Sequence, residues 1–206
     1  MAKLRIKSQW FRAGSEKTPE QTASAMAFTA WRVAQNMLKQ MRVAQFDIDI
    51  GPQYFAFTRE VLVFLTQIID RMAFSRMDAA ARAAFMTALV LRLADILQDN
   101  QERLMGPSAP DQAGYVEQFI DLFNELADHY AEFGYTAQGP DFDFVRYLGF
   151  RIEQLMQGKD KRYVLDQVMA TEVPDAVDYL SRAMDGVLST EPRTPRRSRP
   201  AGISGD

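Results

Sequence analysis

Residues 53–76 read QYFAFTREVLVFLTQIIDRMAFSR. Phe55, Phe57, Val61, Leu62, Phe64, Leu65, Ile68, Ile69 and Met72 spread apolar side chains around most of a helix, with Arg59, Glu60, Thr66, Gln67, Asp70, Arg71 and Ser75 scattered among them. A helix apolar over so wide an arc belongs at the centre of a helical protein, packed on several neighbours.

The flanking segments carry the same helical signature. Thr18-Pro19-Glu20-Gln21 supplies an N-cap Thr, a Pro at the first helical position and a Gln three residues on. Met26, Ala30, Ala34, Met37, Met41 and Ala44 then recur at spacings of three and four, with Trp31 and Leu38 widening the stripe, until Asp47–Pro52 breaks the period. Downstream, Asp78 is placed to cap a third helix reaching about Leu104, opening on the Ala-rich run Ala79–Ala84, which favours close packing. Gly106-Pro107-Ser108-Ala109-Pro110 ends it. A fourth helix is predicted over about 111–133 and a fifth over about 141–157, with Gly158 as its C-cap. Two last helices, about 160–172 and 174–188, are predicted to be split by Pro174. No two segments alternate in the way a hairpin needs. The expectation is an all-α, single-domain multi-helix bundle over 18–188, with about five long helices and one or two short C-terminal ones.

Composition narrows the function. With 47% hydrophobic and 25% charged residues in 206, the chain is globular in character and long enough to bury roughly 70% of its unfolded surface. It has no Cys, which removes thiol catalysis, CxxC redox chemistry, Cys-based zinc sites and Cys-ligated iron–sulfur clusters. No apolar run approaches the ~18 residues a membrane span requires. The opening Met-Ala-Lys-Leu-Arg-Ile-Lys lacks the apolar region of a secretory signal, so a cytoplasmic location is expected.

The net charge of −3 conceals an asymmetry. Lys3, Arg5, Lys7, Arg12 and Lys17 against Glu16 give residues 1–17 a net +4, a basic N-terminal arm. Residues 189–206 carry Arg193, Arg196, Arg197 and Arg199 against Glu191 and Asp206, a net +2, in a Pro-rich segment expected to be a disordered tail. The body between them holds −9. From Leu104 to Val145 there is neither Lys nor Arg. Within that stretch Glu117, Asp121, Glu125, Asp128 and Glu132 recur at helical spacing as one acidic stripe. Like charges so placed weaken an isolated helix by a few tenths of a kcal/mol per pair, which favours an external use for them.

Only one His is present, His129, between Glu125 and Glu132. The trio has the residue types for iron, manganese or zinc. A carboxylate-bridged di-metal bundle, however, needs a Glu-x-x-His on each of two helices, and Leu126 occupies the position three before His129. Haem ligation or phosphotransfer at His129 gains nothing from its acidic surroundings. Asp47-x-Asp49-x-Gly51 lacks the later ligands of a calcium loop, having Ile50 and Phe57 where oxygens are needed. No phosphate loop, nucleophile elbow or Ser/His/Asp arrangement is recognisable.

The resulting expectation is a non-enzymatic, cytoplasmic protein-interaction module, an adaptor, regulator or assembly factor without a cofactor. Its acidic stripe would bind a basic segment of a protein partner. The alternative is a small-ligand- or metal-binding bundle centred on Glu125, His129 and Glu132. No specific nucleic-acid element is expected, because no turn leads into a basic recognition helix. A homodimer is expected from the apolar surplus of the first two helices.

Overall fold

The structure, a computed structural model, describes residues 17–188. The basic arm up to residue 16 and the Arg- and Pro-rich tail from 189 lie outside the described residues. Seven helices and one minimal hairpin follow in order: α1 (Pro19–Val43), α2 (Pro52–Phe74), α3 (Ala79–Met105), α4 (Tyr115–Ala131), β1 (Tyr135–Thr136), β2 (Gly139–Pro140), α5 (Phe142–Leu155), α6 (Gly158–Gln167) and α7 (Val173–Leu188). The fold is all-α, as the periodicity predicts.

The capping box that opens α1 is complete. The Gln21 N–H donates to Thr18 Oγ1 at 3.3 Å, and the Thr18 N–H donates to Gln21 Oε1 at 3.2 Å. Two of the helix's otherwise orphaned donors are thus satisfied within four residues. Ala23, Ala27, Ala30 and Ala34 are fully buried along α1 and let neighbouring backbones approach. These alanines take the packing role expected of the Ala79–Ala84 run, which precedes Phe85, the first buried residue of α3, and is mostly exposed.

Helix α2 is the centre. Every residue from Glu60 to Ile69 is buried, and the helix touches α1, α3, α4, α5 and α7. Its buried hydroxyls remain satisfied because Thr58 and Thr66 donate to the carbonyls of Tyr54 and Leu62, one turn back, at 2.8 and 2.7 Å. Buried apolar residues from α1 to α7 form one continuous cluster. Met26, Met37, Met41 and Met72 belong to it as core filling. Most of the large apolar residues of the first two helices are therefore used inside one chain, with Phe28, Val43 and Phe74 left exposed.

Three local expectations are corrected. First, Pro174 does not split the C-terminal region into separate helices. A π-turn, Val168–Glu172, joins α6 to α7 without a loop, with the Val173 N–H donating to the Val168 carbonyl five residues back. Proline lacks an N–H and its ring clashes with the carbonyl four residues earlier; widening one turn relieves that clash while the chain stays helical. Second, Gly158 begins α6 instead of capping α5, which ends at Leu155 with Met156 as its cap.

Third, a hairpin exists where none was expected. Tyr135 pairs with Pro140 and Thr136 with Gly139, too short a ladder to leave an alternating pattern. Asp141 holds it. One carboxylate oxygen accepts from the Phe144 N–H at 2.8 Å, capping α5, and the other accepts from the Gly134 N–H at 2.7 Å. A Cβ on residue 134 would stand 2.6 Å from that second oxygen, so any side chain there would push the Asp141 carboxylate out of place.

Candidate functional site

Helix α4 buries Phe119, Leu126 and Tyr130 and turns Glu117, Asp121, Glu125, Asp128 and Glu132 outward, all five exposed. At 3.6 residues per turn their spacings place them within an arc of about 80°, one continuous stripe. The helix is held from behind by two arginines of α2. Arg59 donates to Gln118 Oε1 at 2.9 Å, and Arg71 donates to the Tyr130 carbonyl at 3.1 Å, satisfying the C-terminal end of α4. Burial lowers the pKa of Arg59, partly offset by the charge of Glu60.

One cation touches the stripe itself. Arg151 Nη1 lies 4.0 Å from Glu125 Oε1, whose side chain remains 63% exposed. Among the described residues no cation comes within ion-pair distance of Glu117, Asp121, Asp128 or Glu132.

His129 sits at the edge of the stripe with its ring 5.6 Å from that of Tyr147 on α5. Tyr147 in turn packs against Tyr130 and Phe133 at 5.2 and 5.5 Å. Phe144 and Phe64 complete the aromatic cluster behind it. His129 therefore faces an aromatic ring, Glu125 faces Arg151, and Glu132 occupies the C-cap of α4. Among the described residues no group of three or more His, Asp and Glu side chains is arranged to hold a metal ion, Glu125, His129 and Glu132 included. No described helix is long and apolar enough to cross a membrane. The chain matches no family model, no curated protein and no solved structure.

Beneath the stripe lies a polar constellation that sequence reading did not assemble. Arg151 binds Glu60 with both arms of its guanidinium, Nη2 to Oε1 at 2.6 Å and Nε to Oε2 at 3.1 Å. The Glu60 side chain is 7% exposed and that of Arg151 26%. The hydrogen bond to Glu60 raises the pKa of Arg151, fixing its charge. The Tyr130 hydroxyl is buried nearby without a hydrogen-bond partner, and burial, then the charge of Glu60, hold its pKa well above 10. The signal for this cluster was Glu60 itself, a carboxylate in the most apolar helix; its partner lies 91 residues away. The arrangement fixes α2, α5 and the stripe-bearing α4 relative to one another.

A second polar surface is an open groove of about 460 Å³ between α1 and α7, lined by Arg32, Asn36, Gln40, Glu172, Tyr179 and Arg182 among others. Glu172 is buried at the π-turn and accepts from Gln167 Nε2 at 2.9 Å. Burial raises its pKa, against the lowering effect of that bond. Gln167 and Glu172 thereby clip the two sides of the π-turn together, a structural use that accounts for the carboxylate.

Proposed function

We propose that this chain is a non-enzymatic, cytoplasmic protein-interaction module that binds a basic segment of a partner on the outer face of α4. The observation that carries this reading is the exposure of Glu117, Asp121, Glu125, Asp128 and Glu132 in one arc, with Arg151 as the single cation at its edge among the described residues. The faces of His129 and Tyr147 beside Glu125 add flat aromatic surface on which a guanidinium can stack. Each exposed ion pair contributes roughly 0–1 kcal/mol, so affinity comes from several acting together and weakens with salt.

The test is comparative co-purification of the native chain and an Asp121→Asn, Glu125→Gln, Asp128→Asn triple variant at low and moderate ionic strength. A partner retained by the native chain at low salt should be lost with salt and lost with the triple variant, at unchanged helicity. A partner retained equally by both proteins, at either salt, refutes the assignment.

A further inference from the structure

The open groove between α1 and α7 has a direction. Lys17 Nζ donates to the Val187 carbonyl at 2.6 Å, so the start of α1 meets the end of α7. The later half of α1 and the first half of α7 line the groove together, and the two helices therefore run antiparallel. That order puts Arg32 of α1 with Arg182 of α7 at one end, and Gln40 of α1 with Asp175 of α7 at the other. At 1.5 Å per residue, Arg32 and Gln40 stand about 12 Å apart along α1, and Asp175 and Arg182 about 10.5 Å apart along α7. Between the ends the floor is apolar, made by the buried Val33, Met37 and Ala176, while Asn36 and Tyr179 supply hydrogen-bonding groups.

Each end of the groove keeps one charge that no described residue neutralises. Arg182 and Asp178 cancel each other at 2.8 Å. Arg32 and Asp175 have no ion-pair partner among the described residues. The Arg32 guanidinium lies over the exposed Phe28 ring, 5.9 Å from its centroid, which steadies the cation without neutralising it. Near Asp175 the buried Glu172 is already bonded to Gln167; burial raises its pKa and the charge of Asp175 adds to the rise. The groove thus offers a free cation and a free anion about 10 Å apart, across an apolar floor with polar walls. We propose that it binds a short peptide with both termini free, the peptide carboxylate at Arg32 and the peptide ammonium at Asp175. A single amino acid holds its two charges within about 4 Å and cannot reach both ends, whereas an extended tripeptide spans about 10 Å. The volume of about 460 Å³ lies in the ordinary range for small-ligand sites, roughly 300–1,000 Å³. Asn36 carries both donors and an acceptor for the peptide groups between the termini, and an apolar side chain can rest on Val33 and Met37. Neither α1 nor α7 carries the acidic stripe, so this site stands apart from the interaction proposed for α4.

The test is calorimetric titration of the full chain with the tripeptide Ala-Leu-Ala, with its N-acetylated form and with its C-terminal amide. The native chain should bind the unblocked peptide saturably, and each block should weaken binding about three- to tenfold by removing one charge-assisted contact. The amide is the stringent probe, because it is a cation offered to a chain of net charge −3 and should still bind more weakly than the zwitterion. Arg32→Gln should weaken the unblocked peptide and shrink the penalty of the amide to less than about twofold, leaving the penalty of the acetyl block in place. Asp175→Asn should do the reverse, erasing the penalty of the acetyl block alone. Both side chains are at the surface, and circular dichroism of each variant should match the native chain. The proposal is overturned by any of three results: no saturable binding of the unblocked peptide below about 10 mM, a penalty confined to one of the two blocks, or variants that weaken all three peptides alike.

Discussion

Replacing Arg151 with Met tests whether the buried ion pair organises the α2–α4–α5 side of the bundle. The substitution removes two charge-assisted hydrogen bonds, at 2.6 and 3.1 Å, and leaves the Glu60 carboxylate 7% exposed with no cation bonded to it. Breaking a fully buried pair costs about 3–5 kcal/mol. Arg151 is 26% exposed, so water reaches the vacated side, and the expected loss is about 2–4 kcal/mol. Glu60→Leu should cost less, about 1–2 kcal/mol, because the guanidinium keeps its solvent contact and Glu125 stands 4.0 Å away. The double variant should return to within about 1 kcal/mol of the native chain, since a pair of apolar side chains demands no desolvation of charge. Urea unfolding followed by circular dichroism gives all three values and the coupling between the sites. A loss below about 1 kcal/mol for Arg151→Met, or a double variant as unstable as the two single losses added together, would show that the pair does not hold these helices.

Three further outcomes follow from the same packing. Gly134→Ala, forcing a Cβ to within 2.6 Å of Asp141 Oδ2, should destabilise by about 1–2 kcal/mol in urea unfolding through loss of the tie between hairpin and α5. Burial raises the Glu172 pKa, so the stability this group contributes is complete in acid and lost as pH rises through the raised value. Glu172→Gln should accordingly melt about 1–3 °C higher than the native chain at neutral pH and no higher in acid, as calorimetry at the two pH values would read. Burial holds Tyr130 well above 10, so its contribution is intact below the unfolded value and declines as pH rises beyond about 10, where the unfolded chain ionises first. Tyr130→Phe should remove that share of the alkaline loss and, by deleting a hydroxyl without a partner, leave stability at neutral pH unchanged or improved.

What could be read from the sequence was what neighbouring residues decide. The Thr18–Gln21 box closes within one turn, and the centrality of α2 follows from its own apolar arc. The acidic stripe was legible for the same reason, its carboxylates being spaced by the helix that carries them. Features that need a distant partner were not legible. Glu60 gives no sign in sequence that Arg151 will meet it, nor His129 that Tyr147 will flank it. Pro174 was read by its usual effect of ending a helix, whereas the π-turn before it, clipped by Gln167 and Glu172, lets the helix continue. The hairpin is set by Asp141 and the close approach to Gly134, with too few strand residues to print a pattern.

The closure of α7 onto α1 has a consequence for how the chain is made. Val33 and Met37 of α1 meet Ala176 of α7, which a ribosome adds more than 130 residues later. At about 5–20 residues per second, that flank of α1 waits on the order of 10–30 s for its covering helix. During that interval the nascent chain has α2 and α3 to shelter the rest of α1 but nothing yet to lie along the α7 side. The emergence of α7 is thus the step that seals the bundle, and chaperone dependence should concentrate on that unsealed flank.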